Sequence, residues 1–211
     1  MKLNKAFKYR LLPNQVQIDL LAKTFGCCRF VYNKMLEDKI KYYEETKKHL
    51  SVTPAKYKQE FEWLKEVDSY SLCNEQMNLQ AAFKNFFRAP KIGFPKFKSK
   101  KNDKSSYTTS NVNNVMRIDD NHRIHLSKLG WVNFKEHQKI PTDYRIKSAT
   151  ITKTPSGKYY ISVLTEYEYE IPERVLDKTK SLGLDYSSHD FYVDNQGRSP
   201  ENLRHYYIDL Q

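Results

Sequence analysis

From Leu3 to Leu12 apolar and polar positions alternate, with Leu3, Lys5, Phe7, Tyr9 and Leu11 on one side and Ala6, Lys8 and Arg10 on the other. That period of two predicts a strand. Pro13-Asn14 ends it, and Asn14 can cap a following helix. Val16, Leu20, Leu21 and Phe25 form a helical stripe; Gly26 predicts an interruption, after which Phe30, Val31, Met35 and Leu36 carry a second helix to about Lys48. Thr53-Pro54 predicts another start, with proline where its missing N–H is not needed, and places Tyr57, Phe61 and Leu64 on one face. A last helix is predicted from about Ser69 to Arg88 on the stripe Leu72, Gln76, Leu79, Phe83 and Phe86.

The pattern then changes. From Lys84 to Lys104 the residues Lys84, Arg88, Lys91, Lys96, Lys98, Lys100, Lys101 and Lys104 meet one acid, Asp103, and Pro90 and Pro95 exclude a regular helix. Strands are predicted at Tyr107–Ser110, Val115–Ile118, Arg123–Leu126 and Trp131–Phe134, with a hairpin of Ile146–Thr154 and Lys158–Glu166 joined at Pro155-Ser-Gly157. Residues 172–180 read as a linker. Two short strands follow, one apolar and buried up to Asp185, the other Phe191 to Val193 with a turn at Asn195-Gln-Gly197. The first strand needs partners, so the order of elements predicts an α+β fold in which a β-domain is interrupted by a helical insertion.

The formal net charge is +11, the sequence pI is about 9.4, and aromatic residues reach 14%. The charge points to a polyanion, a property a ribosomal or membrane-surface protein would share. Phe86, Phe87, Phe94 and Phe97 interleave with the basic block. That favours nucleic acid, because bases stack on rings while Lys and Arg hold phosphates. Cys27, Cys28 and Cys73 suggest a reducing compartment and no disulfide framework. The charged first segment is no signal peptide and no apolar run is long enough to cross a membrane, so a cytoplasmic location is expected.

The stretches KAFKYRLLPNQVQ, FGCCRFVYNK, WLKEVDSYSL, AFKNFFR, KIGFPKFKSKK, SYTT, LSKLGWVNFK and LGLDYSSHDFYVDNQG, in this order, resemble the amino-terminal half of the TnpB (OrfB) family of transposon-encoded RNA-guided nucleases. The resemblance implies a wedge-type β-barrel whose first strand is 1–13. A helical recognition lobe and basic segment would occupy 14–104, with a helix-turn-helix-type region at about 14–48. The rest of the barrel would fall at 105–172 and the first hairpin of an RNase H-like (RuvC-like) domain at 173–211. It implies guide RNA and target DNA as partners, and Asp185 as the first catalytic carboxylate and Mg²⁺ ligand. Such a site needs two or three carboxylates around two ions. In the family the others, and a four-cysteine zinc element, lie beyond Gln211. A truncated chain is therefore expected to bind nucleic acid without cutting it, to hold no Mg²⁺ tightly and to carry no zinc site. The resemblance also implies readers of the target-flanking motif at Ser69, Cys73, Val112 and Asn113. Asparagine suits adenine edges, whereas Cys73 suits core packing.

Simpler roles stand beside these. A lone Asp ending a strand is commonly a turn or cap residue, and Asp190 and Asp194 suit hairpin ends. The basic block can be a solvated loop; its phenylalanines favour a folded path against an RNA or heteroduplex backbone. Tyr107, Thr108 and Thr109 fit either backbone contacts or a plain strand. Gln76 reads as a satisfied core polar group. His122, His125 and His137 form no convincing metal set, and adjacent Cys27 and Cys28 suit packing. The expected function is the nucleic-acid-binding portion of an RNA-guided DNA endonuclease. The alternatives are a nuclease-dead RNA- or DNA-binding regulator and a transposase-type DNA-binding protein whose helices near Phe30 read DNA.

Overall fold

Strand β1, Lys2–Leu12, lies inside a seven-stranded sheet and turns Phe7, Tyr9 and Leu11 into the core. The computed structural model describes residues 1–101, 105–171, 182–187 and 191–199. It divides into two units, Met1–Tyr169 and Glu170–Gln211. The first combines helices and sheet as an α+β unit. Its strands are β1, β2 (Ser105–Ser110), β3 (Arg117–Ile118), β4 (Arg123–Leu126), β5 (Gly130–Lys135), β6 (Arg145–Lys153) and β7 (Tyr159–Glu168), in the order β2-β6-β7-β1-β5-β4-β3. Every pairing is antiparallel. β1 pairs with β7 from Lys2↔Glu168 to Leu11↔Tyr159 and with β5 from Arg10↔Lys135 to Leu12↔Asn133. The alternation read from the sequence holds from Phe7 onward, while Lys5 is exposed.

Helix α1 is one continuous helix, Gln15–Thr46, and the interruption expected at Gly26 is absent. The reason is local. Asn14 and Gln17 form a reciprocal capping box, with Gln17 N–H donating to Asn14 Oδ1 at 2.9 Å and Asn14 N–H donating to Gln17 Oε1 at 3.0 Å. The buried positions Leu21, Thr24, Phe25, Cys28, Val31, Tyr32, Met35 and Leu36 keep helical phase across the glycine. Tertiary burial of that stripe outweighs the roughly 1 kcal/mol that glycine costs a helix interior relative to alanine. Gln17 Nε2 also donates to Trp131 O at 2.8 Å, fixing the start of α1 to β5.

Helix α2, Pro54–Glu60, is short, and a 3₁₀ turn at Glu62–Lys65 follows it. Tyr57 anchors α2 by donating to Asp38 on α1 at 2.8 Å, and Lys56 reaches the same carboxylate at 3.3 Å. Burial opposes ionisation of Asp38, but those hydrogen bonds and the Lys34 and Lys56 charges hold its carboxyl below the usual range. A depressed folded pKa gives stability that is present above the unfolded value, about 3.9, and lost as pH falls through the folded one. Melting temperature should therefore fall on acidification below about pH 4, and Asp38→Asn, costing about 1 kcal/mol at neutral pH, should remove part of that fall. Thermal melts of both proteins across the acid range check this; parallel curves would show that Asp38 contributes nothing to the pH dependence.

Helix α3, Ser69–Arg88, packs with α1 beside β2. Its cap Asp68 is buried, accepts from Tyr70 N–H at 3.3 Å and also receives the Thr109 hydroxyl of β2. Phe25 of α1 meets Tyr107 of β2 edge-on, with ring centroids 5.6 Å apart. The second unit contains an antiparallel pair, β8 (Leu184–Ser187) with β9 (Phe191–Asp194).

Candidate nucleic-acid interface

The basic block splits between two elements. Lys84 and Arg88 lie exposed on the last turns of α3, and Lys91 is exposed in the 3₁₀ turn Pro90–Ile92. Lys96, Lys100 and Lys101 are exposed in the extended segment beyond. Among the described residues, the ammonium groups of Lys84, Lys91, Lys96, Lys100 and Lys101 make no hydrogen bond or ion pair. Lys104 lies outside the described residues.

Lys98 differs from its neighbours. Its ammonium donates to Glu75 Oε2 of α3 at 2.5 Å and sits 4.4 Å from the Tyr32 ring centroid of α1. Glu75 is only 2% exposed. Asn33 of α1 grips the same residue by its backbone, donating to Lys98 O at 3.0 Å and accepting from Lys98 N–H at 2.8 Å. A primary amide offers a donor and an acceptor side by side, so it pairs with an extended backbone as a neighbouring strand would. The segment is thus strapped to both helices at one residue, and it is a folded path. Lys98 is an internal ion pair and not a free cation. Sequence reading placed the polar core residue of α3 at Gln76; the structure places it at Glu75, with Gln76 half-buried. The stripe Leu72–Leu79 allowed either, and only the cation 23 residues on decides it.

Aromatic rings gather nearby. Phe94 meets Phe83 and Phe86 edge-on at 5.5 and 5.4 Å, and Phe87, 72% exposed, lies tilted at 5.3 Å from Phe86.

Tyr107 is not available as a nucleic-acid contact. It is 4% exposed, and burial pushes its hydroxyl well above the usual tyrosine range. The alternation of β2 turns Tyr107 and Thr109 inward, while Thr108 bonds Thr150 of β6 at 2.8 Å on the other face. Cys73, expected to suit the core, is exposed. Ser69 is exposed in the first turn of α3 and accepts from Lys58 Nζ at 2.5 Å. Asn113 is exposed with φ of 55°, in the left-handed region that Asn tolerates well. Val112 beside it is half-buried. Asn74 Nδ2 donates to Ser110 Oγ at 3.2 Å and so links the first turns of α3 to the end of β2, from which the loop with Val112 and Asn113 departs. Sequence reading missed Asn74; its place one residue after Cys73 was the available signal.

Asp185 is exposed on β8 opposite Val193. The strand expected to be buried is open, with Leu182 and Leu184 exposed, because within this unit the described residues supply one partner strand. Asp194 closes its turn by accepting from Arg198 N–H and Gln196 N–H, each at 2.8 Å, and from Arg198 Nε at 3.0 Å. Those backbone hydrogen bonds, that of Arg198 foremost, hold its carboxyl below the usual range. Asp190 lies outside the described residues. Among the described residues no three His, Cys, Asp or Glu side chains gather to hold a metal ion. The described donors do not fit a two-ion site, since Asp194 is committed to Arg198 and Asp185 stands alone.

His122 Nδ1 is 2.8 Å from Glu136 Oε2, His125 Nδ1 is 2.9 Å from Val115 O, and the His137 ring lies 5.4 Å from that of Tyr9. Cys27 and Cys28 are buried, and burial pushes their thiols up to about 11 and about 12. Both are protonated packing groups at neutral pH. No helix among the described residues is long and apolar enough to cross a membrane.

Residues 1–48 match the helix-turn-helix domain family of OrfB proteins. Those residues form β1 and the single helix α1 here. The chain is 32% identical over 193 residues to "Putative RNA-guided DNA endonuclease InsQ" of Escherichia coli (strain K12), covering 88% of this chain and 46% of that protein. It is 30% identical over 173 residues to a "Putative RNA-guided DNA endonuclease" of Streptomyces pristinaespiralis, covering 78% of this chain and 42% of the relative. A shorter relative, "Virulence protein VsdF" of Salmonella dublin, is 34% identical over 113 residues, 46% of this chain and 93% of that protein. The chain thus has its likeness among transposon-associated, endonuclease-type proteins with a DNA-binding domain. It belongs to the TnpB (OrfB) family. It spans less than half the length of the two endonuclease relatives.

Proposed function

We propose that this chain is the nucleic-acid-binding portion of an RNA-guided DNA endonuclease system, with guide RNA and target DNA as partners. The observation that carries the reading is the strapped basic segment. Asn33 and Glu75 fix it at Lys98, and Lys96, Lys100 and Lys101, unpaired among the described residues, project beside exposed phenylalanines. Unpaired ammonium groups on a fixed backbone suit a phosphate chain, and their binding releases its counterions. In this reading 1–13 and 105–172 form a wedge-type barrel, 14–104 the recognition lobe, and 173–211 the start of a RuvC-like domain. Ser69 and Asn113, with Asn74 linking their elements, face the target-flanking duplex. Asp185 keeps the position of a catalytic carboxylate. Among the described residues no second carboxylate joins it, which leaves an octahedral Mg²⁺ short of protein ligands there, so the reading assigns this chain binding rather than cleavage.

The test is a titration of the purified protein against a structured RNA and a DNA duplex over a range of salt. Affinity should fall steeply and linearly in log–log form, and Asp185→Ala should leave it unchanged. Salt-insensitive binding, or none, overturns the proposal.

A further inference from the structure

Gly26 is the one glycine of α1, and a Cβ built on it would meet nothing within 4 Å among the other residues. Nothing in the described protein requires a glycine there. The helix would be firmer with alanine. A flat spot kept on a helix surface at a cost in stability fits the close approach of something outside the chain.

The surroundings say what kind. Gly26, Arg29, Phe30, Asn33, Lys34, Glu37 and Phe97 line a cleft of about 370 Å³. That volume falls at the small end of ligand sites, which run from about 300 to 1,000 Å³. Phe97 comes from the strapped segment, is 56% exposed, and has no ring partner among the described residues. Its position is fixed because Asn33 and Glu75 hold the next residue. Arg29, half-buried, makes no hydrogen bond or ion pair among the described residues. The acid of the cleft is neutralised, as Glu37 is bridged by Lys34 at 3.0 Å and by Lys41 at 2.8 Å. Phe30 is occupied, its ring edge-on to Phe61 and Trp63 at 4.9 Å each. Among the described residues this leaves a guanidinium without a partner, an open phenyl face and a gap in the helix surface between them.

We infer that this cleft seats one nucleotide of a bound nucleic-acid strand. Its base stacks on Phe97, its phosphate meets Arg29, and its sugar-phosphate backbone passes over Gly26. An aromatic face takes any base, and a guanidinium forks onto a phosphate. The inference rests on the nucleic-acid-binding reading and adds a site outside the lysines that carry it.

Gly26→Leu, Arg29→Gln and Phe97→Ala are compared with wild type and with a Lys96→Ala, Lys100→Ala, Lys101→Ala protein. The probes are a labelled single-stranded oligoribonucleotide of mixed sequence and its DNA counterpart. Each single variant should weaken binding by about tenfold, the scale of one stacked base or one lost phosphate contact. Gly26→Leu should melt at or above the wild-type temperature, by about 2 °C if the helix gain is realised in full. Weaker binding by a more stable protein is an outcome that general damage does not produce. If Gly26→Leu and Phe97→Ala bind like wild type while the triple-lysine protein is weakened, the cleft is empty and the inference falls alone. If the triple-lysine protein also binds like wild type, the reading beneath it falls too.

Discussion

Replacing Lys96, Lys100 and Lys101 together by alanine should flatten the salt dependence of nucleic-acid binding while leaving the fold intact. Each phosphate contact contributes about 0.9 to the log–log slope on duplex DNA, so losing three should lower it by about 3, and affinity at low salt should drop by roughly a hundredfold or more. The effect on stability should be close to zero, because none of these ammonium groups has a partner among the described residues. Anisotropy titrations over a salt series, beside a thermal melt, separate the two quantities. An unchanged slope would put the phosphate-binding surface elsewhere on the protein.

The fourth lysine of the segment should behave in the opposite way. Lys98→Met leaves the Glu75 carboxylate buried without its cation, and breaking such a pair from one side costs about 3–5 kcal/mol. Lys98 keeps 40% of its side chain in solvent, so water can reach part of the gap. About 2–3 kcal/mol is the expected loss. Glu75→Gln should cost less, since the amide oxygen still accepts from Lys98. The double change Glu75→Leu with Lys98→Met should recover much of the stability, because no uncompensated charge remains. Urea unfolding at neutral pH measures all three. A Lys98→Met protein as stable as wild type would mean that the strap is held by Asn33 alone.

These two predictions show where the sequence was readable. The alternation at Phe7, Tyr9 and Leu11 announced a strand with a buried face, and the elements following the helices announced its partners. β1 indeed lies between β7 and β5. Helix α3 begins and ends where its stripe said it would, at Ser69 and Arg88, while its buried cap Asp68 is seen only in the fold. Gly26 misled because propensity is a local quantity and the burial of Phe25, Cys28 and Tyr32 is not. Tyr107 looked equally able to face either way, since strand period fixes alternation but not which face is covered. The basic residues were legible as a set from charge alone. That Lys98 leaves the set depends on Glu75 and Tyr32, brought to it by the packing of α3 and α1, and no spacing rule contains that information.

The position of β1 between β7 and β5 also governs when the protein can come into being. Lys2 pairs with Glu168 and Arg10 with Lys135, so β1 must wait for partner strands that are synthesised well after it. At about 5–20 residues per second, synthesis keeps β1 without either neighbour for roughly 6 to 25 seconds. Closing so long a loop is slow compared with helix formation, so α1 and α3 can pair before the sheet exists. During that interval Phe7, Tyr9 and Leu11 are an open apolar edge. The lysines and arginine set among them, Lys2, Lys5, Lys8 and Arg10, are the charges that keep nascent chains from pairing with one another.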